Sequence, residues 1–365
     1  MAGILTSWLD GFLGRGTAAV TVPPLDGALK PNNLLEEAAP GIALPAPDDI
    51  ALGPAGLLVS SGANLFLVAE GQAAPSLRYA SPSPITAIAS APDGRIAVAA
   101  IDQPIVCLAA DGAVLQPGSG VERRWQAVTA LAFAADGTLV VAVGSADNAI
   151  ADWQRDLLDG GRSGSVWRFD PATGKADEIA SRLAYPNGLH VEDTGDLIVS
   201  EAWAKQLIRL GRDGKTRGAV LEDLPGYPAR ISRSNRGGYW LSLFAPRSQL
   251  IEFVLREPAY RKAMMAEVDT AHWIAPAFAS GRSFHEPMQG GALKQMGILK
   301  PWAPTRSYGL VIELNAEFVP VRSFHSRAGG RRHGVTAAVE AGGRLHAASR
   351  GGDEIITIDL VREER

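Results

Sequence analysis

The chain has 365 residues, a net charge of −4, and 46% hydrophobic against 20% charged residues. So small a net charge gives no reason to expect nucleic acid or an anionic membrane as partner. One cysteine, Cys107, excludes an internal disulfide framework and a cysteine-based metal cluster, while 40 glycines and 24 prolines fit a fold with many tight turns.

The first segment, MAGILTSWLDGFLGRG, spaces Ile4, Leu5, Trp8, Leu9, Phe12 and Leu13 as a helix does. It predicts a short helix packed on the body, or alternatively one that docks on a membrane surface or a partner. A basic leader is missing and Asp10 interrupts the apolar run, so the segment does not read as a signal peptide. No apolar run is long enough to span a bilayer. The expected location is the cytoplasm, with residues 1–40 as helix and extended arm and 41–365 as the body; oligomeric state is left open.

From Asp48 onward one unit recurs: an apolar alternation, a glycine turn, a second alternation. It begins at Asp48, Thr86, Thr129, Asn187, Ala229 and Gly334, with turn glycines Gly56, Gly94, Gly137, Gly195, Gly238 and Gly343. Asp93-Gly94 and Asp136-Gly137 are strong hairpin signals and predict positive φ at both turn residues. Most turns lie roughly forty residues apart, a period that in an all-β chain means propeller blades. Third and fourth strands follow, as in QLIRLGRDGK from Gln206 and GSVWRFDPATGK from Gly164. The pattern predicts an all-β, six-bladed propeller around a central channel. Blade five carries an insertion, about 246–306, that opens with helical spacing in RSQLIEFVLREPAYRKAMMAEV and continues as Gly/Pro-punctuated loop; it is expected to act as a lid or binding surface.

Residues just before each inner strand should ring one channel mouth. These are Asp48 and Asp49, Thr86, Thr129, Asn187, Ala229 and Arg230, and His333. Glu201, at the far end of its unit, is expected to pair with an ion or cap a loop, or alternatively to touch substrate. His190 is expected to be a packed residue. A hard cation would need about six oxygen ligands; Asp48, Asp49, Thr129 and Asn187 offer some, and Arg230 opposes a cation there, so the expected cofactor is a calcium ion or none.

PPLDGALKPNNLLEEA from Pro23, DWQRDLLDGGRSGSVWRFDPATGK from Asp152, YPNGLHVEDTGDLIVSEAW from Tyr185, GYPARISRSNRGGYWLSLFAPRS from Gly226 and RHGVTAAVEAGGRLHAASRGGDEI from Arg332 resemble the strictosidine synthase-like family, within the wider gluconolactonase and paraoxonase group. The resemblance implies a six-bladed propeller. It implies an axial calcium site in lactonase-type relatives, for which Asp48 and Asn187 match, whereas Thr129 and Ala229-Arg230 depart. It also implies a blade-six glutamate in the condensing enzyme, where Arg332 stands here, so a Pictet–Spengler condensation is not expected.

These readings converge on a lactonase- or esterase-type hydrolase of a small, anionic, carbonyl-bearing substrate. The alternative is a metal-free binding or condensing propeller. Arg230 and Arg332 are candidate electrophiles or anion anchors because guanidinium groups bind carboxylates bidentately. His333 is the general-base candidate. Asn187, Thr129 and Arg350 would contact substrate, with His285 and Glu286 reaching over the mouth or holding their own loop.

Overall fold

The computed structural model describes residues 22–69, 74–115, 125–283, 285–287 and 306–360, with the backbone of 294–295 and 298–299. The helix expected over residues 4–13 lies outside the described residues.

Six antiparallel sheets form the blades. Their inner strands are Pro47–Gly53, Ile85–Ser90, Val128–Phe133, Pro186–Val191, Gly226–Arg233 and Val335–Ala341. The hydrophobic effect acts between blades. Apolar clusters fill each of the six interfaces, for example Leu131, Val141 and Phe169 against Ala87 and Ala99 between blades two and three. The ring closes through an element the repeat did not reveal: Ile42–Ala43 pairs antiparallel with Ile355 and Glu354 and becomes the outer strand of blade six. Closure of this kind removes an exposed sheet edge.

The hairpins follow a different turn from the one expected. Gly94 and Gly137 have φ of 88° and 83°, but neither Asp93 nor Asp136 is in the positive-φ region. Each aspartate instead accepts the backbone N–H two residues on, from Arg95 and from Thr138. This is a three-residue hairpin loop with glycine in the left-handed position.

The insertion leaves the end of Tyr239–Pro246 and returns at Leu310–Leu314. Its helical stretch is broken into Gln249–Val254 and Pro258–Glu267. Pro258 is the cause: it has no N–H to continue the first helix and its fixed φ suits the first turn of the second. Glu252 of the first helix binds Lys205 at 3.2 Å and lies 3.4 Å from Arg247, which ties the insertion to blade four.

Candidate functional site at the channel mouth

The channel-facing residues share one local cause. Each inner strand slips register against its neighbour at its first residues, and the residues left unpaired by the slip are Asp48 and Asp49, Thr86, Thr129, Asn187, Ala229 and Arg230, and Thr336. Such bulges re-aim a side chain that would otherwise alternate with the pleat. In blade six the position belongs to Thr336, not to His333. The signal was present in the sequence: Ile85-Thr86-Ala87 and Val128-Thr129-Ala130 match Val335-Thr336-Ala337.

Several of these groups bond to the next blade. Thr129 donates to Pro186 O at 2.6 Å, Asn187 Nδ2 to Pro228 O at 3.2 Å, and Thr336 to Asp48 O at 2.5 Å. Thr129 is 2% exposed, so its hydroxyl joins blades three and four rather than meeting a ligand. Asn187 remains half-buried at the mouth beside the Arg230 strand.

Arg230 crosses the axis. Its Nη2 donates to Asp48 Oδ2 at 2.8 Å and to Thr86 O at 2.7 Å, Nη1 to Asp48 O at 3.2 Å, and its Nε lies 3.4 Å from Asp49 Oδ1. Arg350 Nη1 takes the other oxygen of Asp48 at 2.7 Å, and its guanidinium lies 4.5 Å from the centre of the Phe278 ring. Burial alone would push the Asp48 carboxyl up, but Arg230 and Arg350 overcome it and hold it below the usual range. Asp49 is raised to about 6 because burial dominates over Arg230. Asp49 and Arg230 also form one end of the channel, a cavity of 380 Å³ whose other end is near His190 and Arg233. His190 is packed edge-on to Tyr239, with ring centroids 5.3 Å apart, and burial lowers its pKa.

The residues present do not fit the expected calcium ion. Both carboxylate oxygens of Asp48 already receive a guanidinium, the Asn187 amide nitrogen faces a carbonyl, and the Arg230 charge occupies the axis. Among the described residues no group of three or more His, Cys, Asp or Glu is placed to hold a metal. Arg230 thus stands where Asp48 and Asn187 would have to hold a calcium ion, and a buried guanidinium repels a cation at this distance.

Two other expectations change, those for Arg332 and His333. Arg332 does not join the mouth: its guanidinium donates to Leu35 O, Ala38 O and Ala39 O at 2.7, 2.7 and 3.0 Å and pairs with Glu354 at 2.8 Å, anchoring the N-terminal arm on blade six. His333 is 2% exposed; its Nε2 faces Arg327 O at 2.8 Å and its Nδ1 faces Ser307 Oγ at 2.7 Å, so it cannot itself touch a ligand in the channel. Glu286 accepts the backbone N–H groups of Gly281, Arg282 and Ser283 and so holds its own loop, while His285 is exposed and stands against His272. Glu201 caps a loop: Oε1 accepts the Ala184 N–H at 2.7 Å and Oε2 accepts from Gln206 at 2.6 Å.

Above the mouth lies an aromatic layer that sequence reading missed. Tyr185 stacks on Trp203 with centroids 4.3 Å apart, and Phe278 of the insertion packs on Trp153 and Phe244 at 5.1 and 5.5 Å. Tyr185 holds a left-handed backbone, φ 58°, two residues before Asn187. That is a strained conformation for an aromatic residue, and the packing around it keeps it there.

No family model matches the chain. The adipocyte plasma membrane-associated protein of Danio rerio is 25% identical over 221 residues, covering 57% of this chain and 46% of that protein. The strictosidine synthase-like 6 protein of Arabidopsis thaliana is 23% identical over 242 residues, covering 66% and 56%. The chain thus spans about half the length of these curated relatives. Among solved structures, a gluconolactonase from Xanthomonas campestris superposes with a TM-score of 0.54 at 15% identity, covering 87% of this chain and 86% of that one. A second structure, described as a putative gluconolactonase, gives 0.53 at 13% identity, covering 88% and 90%. No helix among the described residues is long and apolar enough to cross a membrane.

Proposed function

Starting from a strictosidine synthase-like, gluconolactonase-related propeller, we propose that it is a metal-independent hydrolase of the lactonase or esterase type, acting at the channel mouth on a small anionic, carbonyl-bearing compound. One observation carries this reading. Arg350 keeps 39% of its side chain exposed while Asp48 and Phe278 fix its position. A guanidinium fixed in this way at a half-open mouth loses little entropy on meeting a carboxylate or a polarised carbonyl. Arg230 supports the site from below, because its fork is spent on Asp48, Asp49 and Thr86. The gluconolactonase likeness supports the scaffold, and the aromatic layer supports an apolar wall for the substrate's carbon skeleton.

A second reading, binding without turnover, is favoured by one fact: among the described residues the Asp48 carboxylate at the axis is already taken up by Arg230 and Arg350. A panel of lactones and aryl esters, run with and without EDTA, separates the two. Hydrolysis unaffected by EDTA and reduced at least tenfold in kcat/KM by Arg350→Ala supports the hydrolase. Saturable ligand binding with no turnover supports the second reading. Activity abolished by EDTA and restored by calcium overturns both.

A further inference from the structure

A chain of three side chains runs from the insertion into blade six. Ser280 Oγ lies 2.6 Å from Ser307 Oγ, Ser307 Oγ lies 2.7 Å from His333 Nδ1, and His333 Nε2 lies 2.8 Å from Arg327 O. The carbonyl at the end fixes every direction. A carbonyl only accepts, so Nε2 carries the proton of the neutral ring and Nδ1 is left as acceptor. Ser307 must then donate to Nδ1, and its oxygen is turned to accept from Ser280. Burial lowers the His333 pKa, although the Arg327 carbonyl opposes this, so the neutral ring is the resting form.

Accessibility is graded along the chain. Ser307 is 0% exposed and His333 2%, whereas Ser280 is half-buried and reaches solvent. Ser280 follows by two residues Phe278, the ring that the Arg350 guanidinium faces.

We infer that Ser280 is a nucleophile, deprotonated through Ser307 by His333, and that it accepts acyl or phosphonyl groups from small esters. This deepens the hydrolase reading and rests on it for the natural substrate. In the acyl step Ser280 Oγ bonds to the carbonyl carbon while the π pair moves to oxygen. The Ser280 proton passes to Ser307 as the Ser307 proton passes to His333 Nδ1. Collapse breaks the bond to the leaving alkoxide, which takes its proton directly from the Ser307 hydroxyl 2.6 Å from Ser280 Oγ, because the acylated Ser280 no longer carries one, while His333 Nδ1 returns its proton to Ser307. Water then bonds to the acyl carbon as its proton passes to Ser307 and the Ser307 proton to His333, and collapse releases the acid while Ser280 Oγ recovers its proton from Ser307. The histidine never meets the substrate, which distinguishes this arrangement from a direct Ser–His pair.

The test does not need the natural substrate. Incubation with a small alkyl fluorophosphonate forms a P–O bond to serine and expels fluoride. The expected result is a single adduct by intact mass, mapped to Ser280, absent in Ser280→Ala and formed at least tenfold more slowly in both Ser307→Ala and His333→Gln. Circular dichroism confirms that each variant is folded; should His333→Gln not fold, Ser307→Ala alone decides. Absence of an adduct at Ser280, or an adduct formed at an unchanged rate in Ser307→Ala, overturns the inference. Labelling of Ser280 without turnover of any lactone or ester would support the nucleophile and count against the hydrolase reading. Turnover without labelling would do the reverse.

Discussion

Arg230 Nη2 and Asp48 Oδ2 lie 2.8 Å apart although 182 positions separate the two residues. The guanidinium leaves blade five, crosses the channel and reaches blades one and two through Asp48 and Thr86. The guanidinium thus ties blade five to blade one and, through Thr86, to the opposite blade two, where a cation would otherwise balance the acids.

Removing the arginine should be costly. Arg230→Ala leaves Asp49 buried without its charge partner and Asp48 with Arg350 alone. A loss of about 3 kcal/mol is expected, measured by urea unfolding. The double variant Asp48→Asn with Arg230→Ala should cost less than the sum of the single changes, because the two residues share one interaction. Strict additivity would show that the pair contributes nothing to the closed ring.

Acid should loosen the arm before the blades. His325 is buried and neutral, pushed down to about 4 by burial, with its Nδ1 3.1 Å from the Tyr308 hydroxyl and its Nε2 2.9 Å from Ser323 Oγ. Its folded pKa is depressed below the unfolded value near 6.5. The contribution is therefore complete above about 6.5 and is lost as pH falls toward 4, by roughly 3 kcal/mol. His325 N also donates to Asn32 Oδ1, so protonation loosens the arm. His325→Gln should flatten the stability profile between pH 6.5 and 4, as read by thermal unfolding at each pH. A slope equal to that of the native protein would show that another histidine governs the response.

The inter-blade hydroxyls offer a gentler perturbation. Thr336→Val keeps the shape and removes the bond to Asp48 O. The expected cost is about 1–2 kcal/mol, since the valine leaves a buried carbonyl short of one donor. Thr129→Val should behave alike, through the lost bond to Pro186 O. Unchanged unfolding midpoints in both variants would remove these hydroxyls from the account of ring closure.

The parts of this molecule that were legible from sequence are those that repeat. The glycine turns and alternating runs announced six blades, and the same alignment placed Asp48, Asn187 and Arg230 at one mouth. A repeat set three residues out of step puts His333 at the sixth channel position, whereas Val335-Thr336-Ala337 carries the repeated pattern. Long-range contacts were not legible. That Arg332 would grip the carbonyls of Leu35 and Ala38, or that Ile42–Ala43 would close blade six, depends on pairs about three hundred residues apart and on a strand too short to show a period. The Ser280–Ser307–His333 chain was hidden for the same reason, as its members come from three separate segments.

The most direct test of the central claim is calorimetric titration of the purified, chelator-treated protein with calcium chloride. Since Arg230 and Arg350 hold both oxygens of Asp48, no stoichiometric binding heat is predicted at millimolar calcium. A one-to-one isotherm with micromolar affinity, abolished by Asp48→Asn, would contradict the account.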